Sequence, residues 1–155
     1  DLKAFETAYG GNRALIHYFI NDWWFVVPAR SLARRHSANG AAAYLYEFDY
    51  VHTNVRDKFE GARHASEMAF VFGTVGRDGV QATDEDRRVA EEIAAYWVAF
   101  ARTGAPAPDG LAPWPSYDAR VDERMTFGVV GPRMQPVSRA VALDAITKAS
   151  DGVFK

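Results

Sequence analysis

The sequence is organised around the stretch Gly61-Ala62-Arg63-His64-Ala65-Ser66-Glu67-Met68-Ala69-Phe70-Val71-Phe72-Gly73. Its histidine lies in a loop that begins with glycine, and a glutamate follows three residues later. The apolar run 68–72 is too short for periodicity to decide between a buried strand and a helical turn. No other histidine of the chain lies so close to both a turn and a core-forming segment. His64 is therefore the first candidate for acid–base chemistry.

The composition is that of one globular domain. The 155 residues are 48% hydrophobic and 25% charged, and a chain of this length can bury roughly 68–70% of its unfolded surface. The net charge is −2 without a block of like charges, which argues against a nucleic-acid partner. No apolar run approaches the ~20 residues that span a bilayer. We expect neither a nucleic-acid partner nor a membrane span.

The absence of cysteine removes several kinds of chemistry. There is no disulfide framework, no thiolate metal site and no cysteine nucleophile. The cysteine count does not distinguish cellular compartments, because a cysteine-free chain is compatible with the cytoplasm, the periplasm or secretion. Residues 1–6 lack the features of a signal peptide. They also lack an initiator methionine and begin in mid-pattern, which is typical of a processed or truncated chain, although methionine removal is an equally simple explanation.

The first third of the chain has helical patterns. We predict a short helix over 1–9, and two helices over about 13–20 and 22–38, separated by a second cap at Asn21-Asp22. Pro28 should kink the second of these helices. The apolar stretch Trp23-Trp24-Phe25 is expected to pack in the core rather than to line a pocket. The cationic end of this helix is interpreted as a solvated helix terminus, with Arg30, Arg34, Arg35 and His36.

A strand and a loop should follow this helix. Residues 41–48 alternate aromatic and other side chains and are predicted to form a strand, and the alanines at 41–43 suggest a sheet covered on both faces. Residues 49–61 are polar and irregular. A loop that leaves the end of a strand is where α/β folds tend to place functional side chains. His64 comes directly after it.

The second half of the chain contains the clearest helix. Residues 84–103 carry an apolar stripe at helical spacing, with Thr83 as N-cap and Gly104 as left-handed C-cap. The stripe is interpreted as core or interface, with no catalytic member. A proline-rich connection over 105–120 should keep Trp114 and Tyr117 from full solvation. A short edge strand is predicted over about 124–127, and a terminal helix over 139–148.

Other kinds of site find little support. His17, His36, His52 and His64 include no pair with the spacing of a zinc site, and the glycine-bearing segment 73–76 precedes no Lys-Ser or Lys-Thr pair. We therefore predict neither a metal nor a cofactor. No serine has the Gly-x-Ser-x-Gly surroundings of a nucleophile elbow, and Ser66 is too close in sequence to serve His64. Spacing alone favours a hydrogen-bonded turn histidine over a catalytic one.

The ordered motifs of the chain, however, resemble the C-terminal part of type-B carboxylesterases, the α/β-hydrolase family that includes cholinesterases and bacterial para-nitrobenzyl esterases. The family pattern Gly-Ala-x-His-x-x-Glu-apolar-x-aromatic-Val-Phe-Gly fits residues 61–73. Further matches occur in family order over about residues 13–128. They are Asp22, Phe25, Pro28, Arg30, Ala33, Gly40, Tyr44, Tyr46, Phe48, Tyr96, Trp97, Phe100, Ala101, Thr103, Gly104 and Trp114-Pro115-Ser116-Tyr117.

The resemblance implies a fold and residue roles. The fold would be α/β, with 1–155 forming a single C-terminal segment of an α/β-hydrolase domain, a histidine loop over about 49–73 and a long helix over about 84–103. His64 would be the base of a Ser-Glu/Asp-His triad, with Glu67 and Ser66 in support. The run 68–72 would then be a short helix. Trp23, Trp24 and Phe25 would be candidates to border the substrate pocket, although core packing is preferred.

The partner set follows from the same resemblance. The substrate would be a small carboxylic ester. The serine, the acid and the oxyanion-hole glycines would precede Asp1 in a longer bacterial hydrolase, so that this chain alone would be a poor esterase. We expect the isolated chain to form oligomers or to pair with the missing part, because half an α/β sheet exposes apolar surface. The alternative is a non-catalytic esterase-like binding or adhesion module, against which the retention of His64 argues.

Overall fold

The computed structural model describes residues 2–77 and 79–151. Asp1, Asp78 and residues 152–155 lie outside the described residues, and with them the first residue of the predicted 1–9 helix and both ends of the predicted 1–155 segment. The described chain divides into two compact units. The first is built from residues of Asp1–Leu45, Tyr117–Glu123 and Pro136–Lys155, and the second from Tyr46–Ser116 and Arg124–Gln135.

The elements in chain order are α1 (Leu2–Tyr9), α2 (Asn12–Asn21), a π-helical turn (Asp22–Val26), α3 (Val27–Ala38), β1 (Tyr46–Phe48), a 3₁₀ turn (Thr53–Val55), α4 (Met68–Val71), α5 (Asp84–Thr103), β2 (Glu123–Gly128), β3 (Gly131–Pro136) and α6 (Ala140–Asp151). The helices predicted over 1–9, 84–103 and 139–148 are confirmed within the described residues. No helix of the described ranges has both the length and the apolarity required to cross a membrane.

The first unit is helical, and its core lies between α1, α2, α3 and α6. α6 contributes Ala142, Leu143 and Ile146, each at most 2% exposed. A larger set of apolar side chains from the other helices and loops completes this core: Tyr9, Leu15, Val27 and Val137, with Phe5, Phe19 and Leu45 partly buried against them. Helical spacing over 139–148 predicted a buried face of Val141, Ala142, Ala145 and Ile146. The structure buries Ala142 and Ile146, but Val141 is 71% exposed and Leu143 is buried in its place.

The predicted break between two helices at Asn21-Asp22 is wrong. Both residues have helical backbone angles, and neither side chain caps a helix. The chain instead passes through the π-helical turn, in which the Val27 N–H donates to the Asp22 carbonyl five residues earlier. This wider turn lies directly before Pro28, which has no N–H to donate. The Asp22 side chain cannot cap because it is fully buried and binds Tyr9 and Arg139.

The expectation that Trp23, Trp24 and Phe25 pack in the core is also wrong. These side chains are 44%, 62% and 53% exposed. Asp22 is the buried residue of the π-helical turn, where it accepts hydrogen bonds from the Tyr9 hydroxyl and the Arg139 guanidinium. The three aromatic residues that follow are exposed, although the Trp23 ring stacks on that of Phe19 at 6.1 Å. Composition predicted their burial, but helical geometry decides it.

The interpretation of Arg30 as a solvated helix end is wrong as well. Its side chain is 3% exposed. The guanidinium binds both carboxylate oxygens of Asp122 and donates a 2.7 Å hydrogen bond to Asp144. The neighbouring Arg34 is only partly exposed and reaches the same two acids at 3.3 and 3.4 Å. Arg30 and Arg34 thus form an ion-pair network with acids far away in sequence, whereas Arg35 and His36 are exposed, as the solvated interpretation expects.

The second unit contains the three-stranded sheet, in the order β1-β2-β3. β1 pairs in parallel with β2, with Tyr46 opposite Met125 and Phe48 opposite Phe127. Only two residues join β2 to β3, which requires an antiparallel pair, so the sheet is mixed. The predicted edge strand over 124–127 is therefore the central strand, and its Met125 and Phe127 are at most 1% exposed. The strand predicted over 41–48 is confirmed only for 46–48.

The shortening of that strand has a simple cause. β2 offers parallel partners to residues 46–48 only, and a strand forms where its backbone groups find a neighbour. Ala41 and Ala42 are exposed. The prediction that the alanines lie in a sheet covered on both faces is therefore wrong. The Ala43 carbonyl accepts a 2.7 Å hydrogen bond from the Tyr117 N–H instead.

α5 begins and ends as the sequence predicts. The Thr83 side chain and backbone form a capping box with Asp86, and Gly104 closes the helix at φ 78°. The stripe of α5 buries Val89, Ile93 and Tyr96. Beside it lies a cluster of aromatic rings with centroids 5.1–6.1 Å apart, formed by Tyr46, Tyr96, Trp97, Trp114 and Phe127. This cluster packs α5 and Trp114 against Tyr46 of β1 and Phe127 of β2.

Candidate active site on the histidine loop

The histidine loop begins where the parallel pair ends. Past Phe48, the Asp49 N–H donates a 2.8 Å hydrogen bond to the Phe127 carbonyl, which extends the pairing by one residue. The chain then runs through Tyr50 and the 3₁₀ turn to residues 64–67, and enters α4. In an α/β fold, this carboxyl end of a parallel strand is the usual place of ligands and catalytic side chains.

A buried carboxylate holds the start of the loop. Asp86 is fully buried and accepts hydrogen bonds from the Tyr50 hydroxyl at 2.8 Å and the Thr53 N–H at 3.0 Å. Its second oxygen accepts from the N–H and the hydroxyl of Thr83, both at 2.8 Å. One carboxylate therefore caps α5 and binds the loop that leaves β1.

These contacts shift the pKa of both ends of the Tyr50–Asp86 pair. Burial works against the charged carboxylate, but the hydrogen bonds from Thr83, Thr53 and Tyr50 outweigh it and hold the pKa of Asp86 below its usual range. Burial and the adjacent Asp86 carboxylate raise the pKa of the Tyr50 hydroxyl. The pair thus stays as a neutral donor and a charged acceptor across the neutral pH range.

The far end of the loop is held by an aromatic side chain. Phe70 of α4 is completely buried. Its ring lies 5.2 Å from the rings of Phe48 and Tyr50 and 4.9 Å from that of His52. The prediction of a short helix over 68–72 is confirmed for Met68–Val71. Its single buried ring packs the segment after His64 onto the segment before it.

His64 itself lies in an exposed turn between these two fixed points. The next residue, Ala65, has a left-handed backbone at φ 63°, which is uncommon for a residue with a Cβ. The Ser66 N–H and hydroxyl both donate to the Arg63 carbonyl, at 3.1 and 2.7 Å. Ser66, expected to support His64, therefore closes the turn that presents the histidine.

Glu67, the other residue expected to support His64, is half-buried at the start of α4. Its carbonyl accepts from the Phe70 and Val71 N–H groups. Burial, and then the negative charge of Glu67, raise the pKa of the Tyr46 hydroxyl. Glu67 therefore lies near Tyr46 of β1, and its supporting role for His64 stays a prediction.

A cavity of about 600 Å³ opens beside the loop. Its wall includes Arg63, Ala65 and Ser66, which flank His64 in sequence, but His64 is not among the residues that line it. Most of its other side chains are apolar, among them Val55, Phe59, Met68 and Phe72. The loop thus has an exposed histidine and, separately, an apolar recess.

The described residues contain no group of three or more His, Cys, Asp or Glu side chains placed to hold a metal ion.

The acid–base candidates of the second unit are His64 and one more histidine, His52. His52 is 7% exposed, and its Nδ1 lies 3.8 Å from Asp86 Oδ1. In the sequence, His52 was considered only as a metal ligand, and Asp86 was not singled out. The Thr-x-x-Asp spacing of a capping box was the signal that marked Asp86.

Trp23, Trp24 and Phe25 lie in the first unit, on the π-helical turn. Their exposure shows an apolar surface, and their role in bordering a substrate pocket stays a prediction.

Comparison with known proteins identifies the chain. The model of the carboxylesterase family matches residues 7–142. A medium-chain fatty acyl-CoA hydrolase precursor of Anas platyrhynchos is 41% identical over 108 residues, which make up 68% of this chain and 19% of that protein. Carboxylesterase 5A of Homo sapiens is 37% identical over 122 residues, 70% of this chain and 21% of that protein. Liver carboxylesterase 1F of Rattus norvegicus is 33% identical over 121 residues, 76% of this chain and 21% of that protein.

A parallel strand pair that feeds a histidine loop, flanked by helices, is part of an α/β-hydrolase fold. The chain belongs to the carboxylesterase family. It spans about a fifth of the length of the curated relatives that it matches. The type-B carboxylesterase resemblance inferred from the ordered motifs is confirmed.

Proposed function

We propose that this chain supplies the catalytic histidine, His64, of a serine carboxylesterase whose serine and acid lie elsewhere in a longer hydrolase. The observation that carries the proposal is an exposed histidine at the carboxyl end of a parallel strand, in a turn held between Tyr50 and Phe70. Membership of the carboxylesterase family supports it. No serine of these 155 residues has the Gly-x-Ser-x-Gly pattern, and the chain matches about a fifth of its relatives' length.

In this proposal, His64 acts as a general base and then as a general acid. It takes the proton from the serine hydroxyl as the oxygen attacks the ester carbonyl. It returns that proton to the leaving alcohol when the acyl–enzyme forms. A water molecule then repeats the sequence and releases the carboxylic acid. An exposed imidazole on a loop fixed at both ends suits a side chain that must meet residues from another part of the protein.

The chain by itself should be a poor esterase. Positioning a nucleophile and a base together is worth roughly 7–11 kcal/mol of the barrier, and oxyanion donors add several more. In this proposal, His64 gains the nucleophile and the oxyanion donors only from the rest of the hydrolase. The proposed partners are therefore a small-molecule carboxylic ester, the remaining part of the same hydrolase and, for the isolated chain, further copies of itself.

The source organism and the cellular compartment of the protein are likewise proposals. A bacterial source follows only from the resemblance to bacterial para-nitrobenzyl esterases, because the relatives compared above are vertebrate proteins. The absence of cysteine is compatible with the cytoplasm, the periplasm or secretion.

The test uses the longer hydrolase that carries this chain. His64→Ala should lower kcat for p-nitrophenyl acetate by about 10⁴-fold or more and leave the melting temperature unchanged. His36→Ala is the matched control, because His36 is also exposed but lies on α3. The purified 155-residue chain should neither turn over the ester efficiently nor react with a fluorophosphonate.

Two results would contradict the proposal. One is full turnover in the His64→Ala enzyme. The other is efficient turnover and fluorophosphonate labelling of the 155-residue chain alone. A longer protein that neither reacts with the probe nor hydrolyses esters would instead favour the non-catalytic binding or adhesion module.

A further inference from the structure

The chain leaves α3 through an asparagine that stands directly before a glycine, Asn39-Gly40. The sequence has four asparagines, and the residues that follow the other three are Arg13, Asp22 and Val55. Glycine has no Cβ, so its backbone nitrogen is less shielded than that of any other residue. Asn39-Gly40 is therefore the place in this chain where a side-chain amide lies next to an unshielded backbone nitrogen.

The surroundings of Asn39 leave its side chain open to reaction. Asn39 is exposed, and within the described ranges its side chain has no hydrogen-bond partner. By contrast, the side-chain amide of Asn54 donates a 2.8 Å hydrogen bond to the Gln81 carbonyl. Space is also open beside Gly40, because a Cβ at this position would meet no atom of the described residues within 4 Å. Neither a hydrogen bond nor a neighbouring side chain therefore hinders a reaction between Asn39 and Gly40.

The backbone of the helix end controls when this reaction can occur. Asn39 has φ −90° and ψ 10°, and Gly40 follows in the left-handed region at φ 75°. The Gly40 N–H donates a 3.0 Å hydrogen bond to the Ser37 carbonyl, and the Ala41 N–H donates one of 3.0 Å to the His36 carbonyl. Attack on the side chain requires the Gly40 nitrogen to rotate towards the Cβ of Asn39, so these bonds must first break. Helix ends open at little cost in free energy, and this opening limits the rate.

We propose that Asn39-Gly40 is a site of spontaneous modification, at which the chain converts Asn39 into aspartate and isoaspartate with water as the co-reactant. The Gly40 nitrogen loses its proton to solvent and attacks the side-chain amide carbon of Asn39. A carbon–nitrogen bond forms, the bond to the amide nitrogen breaks, and ammonia leaves with a proton from solvent, so that a cyclic imide remains. Water then opens the imide at either carbonyl carbon. The net change is the exchange of ammonia for water.

Both products disturb the end of α3. Each carries a new carboxylate at the helix C-terminus, where the macrodipole disfavours negative charge. Arg35 and His36 in the last turn offset part of this effect. Isoaspartate also adds one carbon to the main chain, so the N–H groups of Gly40 and Ala41 no longer meet both of their acceptors. The isoaspartate form should therefore have a lower melting temperature than the aspartate form.

The test is to incubate the purified chain at pH 6 and at pH 8 and to follow its tryptic peptides by mass spectrometry. Trypsin releases residues 36–56 as one peptide, whose fragment ions assign a gain in mass to Asn39 or to Asn54 within the same molecule. We expect Asn39 to react at least about tenfold faster than Asn54, whose following residue is the β-branched Val55. The reaction should be faster at pH 8, because the attacking nitrogen must lose its proton. Unfolding in urea should accelerate it further, because the helix end no longer restrains Gly40.

Three variants locate the reaction and its effect. Asn39→Gln lengthens the side chain by one methylene and should remove the gain in mass at this position. Asn54→Gln is the matched control and should leave the reaction at Asn39 unchanged. Asn39→Asp carries the new carboxylate without the additional main-chain carbon. It should melt at a higher temperature than the isoaspartate fraction separated from the incubated chain.

Three results would overturn the proposal: equal rates at Asn39 and Asn54, a rate at Asn39 that does not rise with pH, or an unchanged gain in mass of peptide 36–56 in Asn39→Gln. A rate that urea leaves unchanged would overturn the control by the helix end. The reaction requires neither His64 nor an ester, so His64→Ala should modify itself at the wild-type rate. A failure of the catalytic proposal and a failure of this one are therefore distinguishable.

Discussion

The Tyr50 hydroxyl donates a 2.8 Å hydrogen bond to Asp86 Oδ1 and thereby joins the histidine loop to the first turn of α5. Tyr50 is 1% exposed and Asp86 is fully buried. The same carboxylate also binds the backbone of Thr53 and Thr83. The position of the loop that carries His64 thus depends on one buried acid that lies 22 residues further along the chain.

Removal of this acid should be costly. Asp86→Ala leaves the donors of Tyr50, Thr53 and Thr83 without their acceptor, and each buried unsatisfied group costs about 1–3 kcal/mol. We expect the free energy of unfolding, measured by urea denaturation, to fall by about 3 kcal/mol or more. Asp84→Ala, two residues earlier and fully solvated, should change it by less than about 0.5 kcal/mol. Equal effects of the two substitutions would contradict the assigned role.

The Asp86 carboxylate also makes the free energy of unfolding depend on pH in the acidic range. The pKa of Asp86 is lower in the folded chain than its ordinary value of 3.8. Its contribution is therefore complete above the unfolded pKa and is lost as the pH falls below about 4 towards the folded pKa. Urea melts at pH 6, 4 and 3 should show this loss in the wild type. Asp86→Asn should be less stable at pH 6 and show a shallower acid dependence, and an unchanged slope would count against the assignment.

Arg30 should be the most sensitive cation of α3. Arg30→Ala leaves Asp122 and Asp144 without the buried guanidinium that pairs with both, and breaking a buried ion pair costs about 3–5 kcal/mol. Arg30→Lys should recover only part of this loss, because an ammonium cannot reproduce the paired contacts to Asp122. Arg35→Ala, at an exposed position of the same helix, is the control. If chemical denaturation showed that Arg35→Ala and Arg30→Ala lower the free energy of unfolding equally, the network would be disproved.

The backbone at Ala65 should control how His64 is presented. A β-branched residue is a genuine outlier at positive φ, so Ala65→Val should distort the turn and lower kcat of the longer hydrolase by roughly tenfold or more, as expected for a loss of positioning. Ala65→Gly accepts the observed φ of 63° without strain and should keep near-normal kcat. Equal activity of the two variants in an ester-hydrolysis assay would show that the turn does not position the base.

The exposed aromatic surface should make the isolated chain self-associate. Ile20, Trp23, Trp24 and Phe25 are each more than 40% exposed along α2 and the π-helical turn, and contiguous apolar surface of this kind favours association. Sedimentation should show species larger than a monomer, and Trp24→Ser should shift them towards the monomer. Val130→Ser, which removes a different exposed apolar side chain, should have little effect. A monomeric wild-type chain would refute this expectation.

The sequence predicted the local structure well where neighbouring residues determine it. Thr83 and Gly104 mark the two ends of α5, because caps act on the adjacent backbone groups. Helical spacing also identified Ala142 and Ile146 as buried residues of α6, although it wrongly included Val141. The prediction from sequence failed where a partner distant in the chain determines the local structure. The strand predicted over 41–48 is short because β2 pairs with only three of its residues.

The same contrast holds for the site. The sequence by itself determined the family and singled out His64, because the ordered motif around residues 61–73 needs no contact to be recognised. The tertiary structure alone decided that Asp86 holds the loop, that Arg30 is buried, and that Trp23 to Phe25 are exposed. These outcomes depend on hydrogen bonds and ion pairs between residues far apart in sequence, such as Tyr50 with Asp86 and Asp22 with Arg139. No local pattern encodes which donor meets which acceptor.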